Sequence, residues 1–206
     1  MILAIILGII SGILSGFIVY FMINLREKRK WKITSTYLLD ESRRLTAGIL
    51  TSVRVKLKIP FHPSSNYNPG VYQEYIDFSK NIIVEKFINL EYKIFFKQVK
   101  SKEWLNFINF LQAVRNSIET NLSISLNLLD PSVSEKLLNL RKEIDSVIIY
   151  YSTFPDVIGV PLDQQSPSTK FTKEESSNRI HQQFFDNIKS LTFCAIESLE
   201  LLIKPR

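Results

Sequence analysis

The first 23 positions of the chain are almost entirely apolar, and the pattern then changes abruptly to charge. Residues 1–23 contain no charged side chain, and a helix of this length, rising ~1.5 Å per residue, covers a hydrocarbon core of ~30 Å. The competing interpretation is a cleaved signal peptide. However, the segment lacks a basic n-region and a small-x-small cleavage site, and it exceeds the usual ~7–15 apolar residues. The pattern therefore predicts an uncleaved transmembrane anchor over residues 1–25.

Beyond the anchor, apolar residues recur at intervals of three and four, which is typical of amphipathic helices. The first stripe predicts a basic juxtamembrane helix or stalk over residues 26–58, which Pro60 and Pro63 terminate. Its apolar positions are Tyr37, Leu38, Leu45, Ile49, Val53 and Leu57.

Residues 59–206 carry four further helical patterns, at about 70–99, 102–128, 131–151 and from 172 onward. Each pattern has an apolar stripe that is expected to face inward. The stripes are Tyr72, Tyr75, Ile76, Ile83, Phe87, Leu90 and Ile94 in the first; Trp104, Phe107, Ile108, Leu111, Ile118 and Leu122 in the second; Leu137, Leu140, Ile144, Val147, Ile148 and Tyr151 in the third; and Ile180, Phe184, Ile188, Leu191, Ala195 and Leu199 in the last. Asp130-Pro131 is the clearest start signal, because Asp caps free amides and Pro fits the first turn. Turn-forming residues predict loops near 60–70 and 154–173. Together the patterns predict an all-α protein, in which the anchor continues into a cytoplasmic up-and-down bundle of about four to five helices.

Charge is concentrated beside the predicted anchor. Residues 26–58 contain ten Lys or Arg and three acids, a net of +7, whereas the whole chain carries +6. Residues 59–206 are therefore close to neutral, at −1. A basic stretch next to a membrane span is expected for orientation and for contact with anionic lipid, so the pI of about 9.3 does not indicate a nucleic-acid-binding protein.

The basic collar comprises five residues within seven positions: Arg26, Lys28, Arg29, Lys30 and Lys32. We expect these side chains to contact anionic lipid. By the positive-inside rule they place the N-terminus outside and the remainder of a single-pass protein in the cytoplasm. The single cysteine, Cys194, permits no intramolecular disulfide and agrees with a reducing compartment.

Within the predicted anchor, Gly8, Gly12 and Gly16 recur at intervals of four. This spacing places the three glycines on one helix face, where a second backbone can approach closely. The pattern indicates a homo-oligomer or pairing with another transmembrane helix, although glycine is also simply frequent in such helices.

Motifs that specify a chemistry are missing from the sequence. There is no Glu-x-x-His, His-Glu-x-x-His, nucleotide-binding glycine loop or Gly-x-Ser-x-Gly elbow. Cys194 lies in an apolar helical stretch typical of an inert buried thiol, and His181 is expected to be partly exposed and structural. His62, in a proline-rich loop, is the better functional candidate. The sequence therefore assigns no catalytic, cofactor-binding or metal-ligating residue.

These features favour a non-enzymatic module that binds an unknown cytoplasmic protein partner or transmits a signal at the membrane face. One alternative is a membrane-bound enzyme whose site lies on the helical domain and uses His62 or acids from facing helices. A further alternative is an effector that perturbs the membrane after assembling through its glycine face. No cofactor is implied by any of the three.

Overall fold

A computed structural model describes the backbone of residues 2–60, 70–98, 101–125, 129–158 and 174–203. Side chains are described over the same ranges except at 2–14, 70–71, 97–98, 101, 125 and 174–176. The chain divides into two compact units, Met1–Leu39 and Asp40–Arg206. The second unit thus includes residues 40–58, the later part of the predicted stalk, together with the predicted bundle.

Helix α1 (Ile2–Lys56) supplies all of the helix in the first unit. Its described side chains begin at Ser15, so most of the predicted anchor over residues 1–25 lies outside the described side chains. Over the residues described by the structure, no helix combines the length and apolar character needed to cross a membrane.

The second unit is a helical bundle, and the all-α prediction is confirmed. Its long helices are the later part of α1, α5 (Ser101–Ser125), α6 (Pro131–Thr153) and α8 (Glu174–Ile203). Two contacts show that α6 and α8 are antiparallel, because Lys136 near the start of α6 pairs with Glu197 near the end of α8, while Tyr150 stacks on Phe184. Shorter helices complete the unit.

The end of α1 is closed by a left-handed residue. Lys58 has φ of 54°, the only positive φ among the described non-glycine residues. The amide of Ile59 donates to the carbonyl oxygen of Arg54 at 3.2 Å, and the amide of Lys58 donates to the carbonyl oxygen of Val55 at 3.1 Å. This pair of bonds is a Schellman motif, which satisfies carbonyls that the helix leaves without partners. The helix therefore ends two residues before the predicted limit at 58.

The prediction of one continuous helix over 70–99 is wrong. The segment contains α2 (Gly70–Phe78), a π-helical turn (Ser79–Ile83) and α3 (Val84–Asn89), followed after a break by α4 (Tyr92–Gln98). In the π turn, the amide of Val84 donates to the carbonyl of Ser79, and the Ser79 hydroxyl donates to the Tyr75 carbonyl at 2.6 Å.

The π turn keeps one stripe buried. Tyr75, Ser79, Ile83 and Phe87 are spaced by four and are all buried. Four-residue steps drift by about 40° in an α-helix, and the wider turn counteracts that drift. Leu90 is then extended, with φ −94° and ψ 122°, which reorients α4. As a result Phe95 and Phe96 are buried, whereas Ile94, predicted to face inward, is 46% exposed.

The later helices follow their predictions more closely. Asp130 caps α6, since its carboxylate accepts from the amide of Ser132 at 2.9 Å, and Pro131 occupies the first helical position. A short helix, α7 (Pro155–Ile158), occupies the start of the loop predicted at 154–173. Residues 61–69 and 159–173, in the two predicted loops, lie outside the described residues. The second range includes Thr172, the predicted start of the last helix. Residues 126–128, at the predicted end of the helix over 102–128, also lie outside them.

The core is a cluster of aromatic rings centred on Trp104. Its ring lies 5.5 Å from those of Phe95 and Phe96 and 5.3 Å from that of Phe184, measured between centroids. Every inward position predicted on α5 and α8 is buried. These positions are Trp104, Phe107, Ile108, Leu111, Ile118 and Leu122 on α5, and Ile180, Phe184, Ile188, Leu191, Ala195 and Leu199 on α8.

Candidate functional site

An apolar band, residues Phe17 to Ile23 of α1, is exposed around the whole helix. These seven successive side chains are between 53% and 69% exposed. Because an α-helix turns once in 3.6 residues, seven exposed neighbours point in every direction around the axis. Continuous apolar surface of this kind marks a site of contact with lipid or protein.

The basic collar directly follows the band. Arg26, Lys28, Arg29, Lys30 and Lys32 are all exposed, and none of them forms an ion pair with another described residue. A shallow depression of about 460 Å³ has two of these guanidinium groups beside apolar side chains. It is lined by Met22, Ile23, Leu25, Arg26 and Arg29. Cations adjoining apolar surface in this way are complementary to the boundary between phosphate headgroups and acyl chains.

The predicted glycine face is described only at its last member. A Cβ built on Gly16 would meet no atom within 4 Å, so this position is open on the described chain. Gly8 and Gly12 lie outside the residues whose surroundings are described. Pairing through these three glycines stays a prediction.

A second surface feature is the α6–α8 groove, a cleft of about 790 Å³ in the bundle unit. Side chains from the last two turns of α6 form one wall, and the early turns of α8 form the other. Ile149 on the first wall is 63% exposed, whereas Ile180 on the second is buried. The lining residues are Ser146, Ile149, Tyr150, Thr153, Phe154, Arg179, Ile180, Gln183 and Asn187.

The charge that the described residues give the groove is positive. Arg179 is the one charged residue among the described residues of the lining, and it forms no ion pair with any of the other described residues. Burial raises the pKa of the Tyr150 phenol, and the nearby Arg179 guanidinium lowers it in part. The groove therefore presents a cation and a neutral hydroxyl beside apolar surface.

His181 is fully buried, which corrects the expectation of partial exposure. Its ring meets that of Phe96 edge-on at a centroid distance of 4.6 Å, and Nδ1 lies 2.8 Å from the carbonyl oxygen of Ser177. Burial lowers the pKa of the imidazole, although the backbone of Ser177 and Val157 opposes this shift. The ring is therefore part of the aromatic core and is not exposed to solvent.

Cys194 is half-buried, and burial raises the pKa of its thiol. The thiol form therefore predominates, which disfavours nucleophilic chemistry. His62 lies outside the described residues. Within the described part of the chain, no group of three His, Cys, Asp or Glu side chains could hold a metal ion.

Glu119 on α5 and Asp145 on α6 belong to a charge network across these two helices. Asp145 pairs with Arg115, and Glu119 approaches both Arg115 and Arg141, at 3.6 Å and 3.4 Å. Each carboxylate thus faces guanidinium groups, which is a structural use of charge at a helix interface.

No protein-family model, curated protein or solved structure matches the chain. The α6–α8 groove was not predicted from the sequence, because Ile149 falls outside the inward stripe of α6 and Arg179 belongs to no motif. In the sequence, an apolar residue outside the inward stripe of α6, Ile149, was the one signal of this groove, and such residues are common on protein surfaces.

Proposed function

We propose that the chain is a single-pass membrane protein whose helical bundle binds protein partners, or transmits a signal, at the cytoplasmic face. The observation that carries this proposal is the apolar band with its adjoining basic collar. A partner helix would cover one face of the band, whereas lipid would cover the whole circumference. The uncharged run over residues 1–23 extends the band to a length that spans a bilayer.

The collar supports the orientation. Five exposed cations follow the apolar run, and Lys or Arg next to a span is retained on the cytoplasmic side. Anionic lipids on that side attract such a segment with about 1 kcal/mol per cation. The same five residues would therefore both set the topology and hold the helix end at the headgroups.

Partner binding is favoured over catalysis by the roles of the ionisable groups in the bundle. His181 is buried and neutral, Cys194 retains its proton, and Glu119 and Asp145 face arginines. An exposed groove with apolar walls suits recognition of another protein.

Alkaline carbonate extraction of cell membranes tests the anchor. The full chain is expected to stay in the membrane pellet, and a chain lacking residues 1–25 is expected in the supernatant. As a matched control, Gly12→Ile preserves the length and apolar character and should stay in the pellet. Release of the full chain by carbonate would refute membrane spanning.

Cysteine labelling tests the orientation. Cys194→Ser combined with Arg206→Cys leaves one thiol, at position 206. A membrane-impermeant maleimide should label it only after the cells are permeabilised. Labelling of intact cells would place the bundle outside and contradict the positive-inside argument.

Affinity capture tests the interaction role. The full chain and the chain lacking residues 1–25 are each isolated from native membranes or cytosol, and co-purifying proteins are quantified against a tag-only control. A partner enriched with the full chain is expected. If neither form enriches any protein, the interaction function is wrong.

A further inference from the structure

The α6–α8 groove has the dimensions of a docking site for a short helix. Its α6 wall extends from residue 146 to 153 and its α8 wall from 179 to 187, each about two helical turns or ~10–12 Å long. Two antiparallel helices present ridges between which a third helix can pack. Helix-in-groove recognition uses a few apolar anchors on one helix face.

The walls offer apolar surface where such anchors would be placed. Ile149 is 63% exposed, and Tyr150, Phe154 and Ile180 extend the apolar lining below it. The Tyr150 ring is fixed by its neighbours, since it lies 5.2 Å from that of Phe154 and stacks on that of Phe184 at 6.4 Å. A rigid aromatic surface binds an apolar side chain at little entropic cost.

The polar groups determine the charge of the occupant. Arg179 supplies guanidinium donors, and no carboxylate stands among the described residues of the lining. Several other polar groups are already engaged within the wall, because Ser146 and Thr153 donate to carbonyls of their own helix and the Gln183 amide donates to Asn187. Arg179 and the Tyr150 hydroxyl have no hydrogen-bond partner among the described residues, and as donors they together favour an acidic group.

Within the bundle unit, the groove and the start of the unit lie at opposite ends of α8. Arg43, near the residue where the chain enters the bundle unit, donates to the Leu202 carbonyl at the far end of α8, at 2.8 Å. Arg179 precedes Leu202 by about 35 Å along the same helix. The groove therefore lies at the end of α8 remote from the chain entry point.

We propose that the α6–α8 groove binds a short amphipathic helix of a partner protein, through two apolar anchors and one acidic side chain that pairs with Arg179. The inference rests on the proposed interaction function and names its site and the chemistry of its partner. Ile149 and Tyr150 contact the apolar anchors, and Arg179 selects the charge.

Selection from a displayed library of random dodecapeptides tests this proposal. The bait is the full chain in lipid nanodiscs, and empty nanodiscs remove lipid-binding peptides. Enriched peptides are expected to combine Asp or Glu with Leu, Ile, Phe or Trp at helical spacing. An absence of enrichment, or enrichment without acidic residues, would overturn the proposal.

Charge reversal then assigns the site. The best enriched peptide is synthesised, and its affinity is measured by calorimetry for the parent chain, for Arg179→Glu and for Ile149→Asp. Each variant is expected to weaken binding by at least ~10-fold, since a desolvated charge pair or apolar anchor is lost. Lys86→Glu makes the same change of charge at an exposed position outside the groove, and it should alter the affinity less than ~2-fold.

Equal affinity for the parent chain and Arg179→Glu would place the peptide elsewhere and refute the site. This outcome is distinct from failure of the proposed function, because carbonate extraction does not depend on Arg179. A carbonate-resistant chain that captures partners but shows no acidic peptide preference would disprove the groove alone.

Discussion

Acidification is expected to weaken the bundle through His181. The imidazole is fully buried against Phe96, and burial lowers its pKa below the ordinary value of 6.5. In the unfolded chain the ring titrates normally, so below pH 6.5 the unfolded state binds a proton that the folded state excludes. Stability is therefore full above pH 6.5 and is lost as the pH falls, until the folded-state pKa is reached.

The magnitude follows from proton linkage. While the folded ring stays neutral and the unfolded ring is protonated, the free energy of unfolding falls by about 1.4 kcal/mol per pH unit. Carboxylates on the chain titrate in a nearby range, so the total slope does not isolate His181. His181→Phe removes the titrating group, keeps an aromatic ring in the cluster and gives the reference.

Urea unfolding followed by circular dichroism at pH 7.5 and 5.5 measures the effect, with the full chain in a non-ionic detergent. The parent is expected to lose more stability than His181→Phe between the two pH values, by up to about 1.4 kcal/mol. Identical pH dependence of the parent and His181→Phe would refute the reasoning.

Three further substitutions can be measured in the same unfolding assay. Trp104→Ala removes the centre of the aromatic cluster and should lower the free energy of unfolding by about 3–5 kcal/mol. Leu105→Ala, at a neighbouring side chain that is 50% exposed, should lower it far less. Similar losses in the two variants would show that Trp104 is not at the centre of the core. Asp130→Ala removes the cap of α6 and should cost about 0.5–2 kcal/mol, with Asp130→Asn close to neutral. Lys58→Gly should stabilise by about 1 kcal/mol, because glycine adopts the left-handed conformation without strain, whereas Lys58→Ala should not.

The helices that the sequence predicts best are those with one uninterrupted stripe. On α5 and α8, steps of three and four keep the same face inward over the whole length, and Asp130-Pro131 marks the start of α6 through local hydrogen bonding alone. Local patterns of this kind are independent of the remaining fold, so they can be read directly from the chain.

The prediction for residues 70–98 is wrong because the structure of this segment depends on contacts with distant residues. No glycine or proline separates α3 from α4, and Leu90 adopts an extended conformation although its neighbours favour helix. The break in the helix allows Phe95 and Phe96 to be buried against Trp104. The free energy gained by this burial depends on α5 and α8, whose residues are distant from Leu90 in the sequence. The α6–α8 groove was likewise unpredictable, because it arises from the spacing between two helices.

The two tryptophans of the chain fall in different units. Trp31 belongs to the first unit and is 50% exposed, whereas Trp104 is 1% exposed in the aromatic core of the second. Indole emission shifts to shorter wavelength in apolar surroundings, so the two residues report on different events. Trp104→Phe leaves a chain whose emission follows the environment of the basic segment, and Trp31→Phe leaves one whose emission follows the integrity of the bundle. The protein thus carries an intrinsic optical probe for each unit, without any added label.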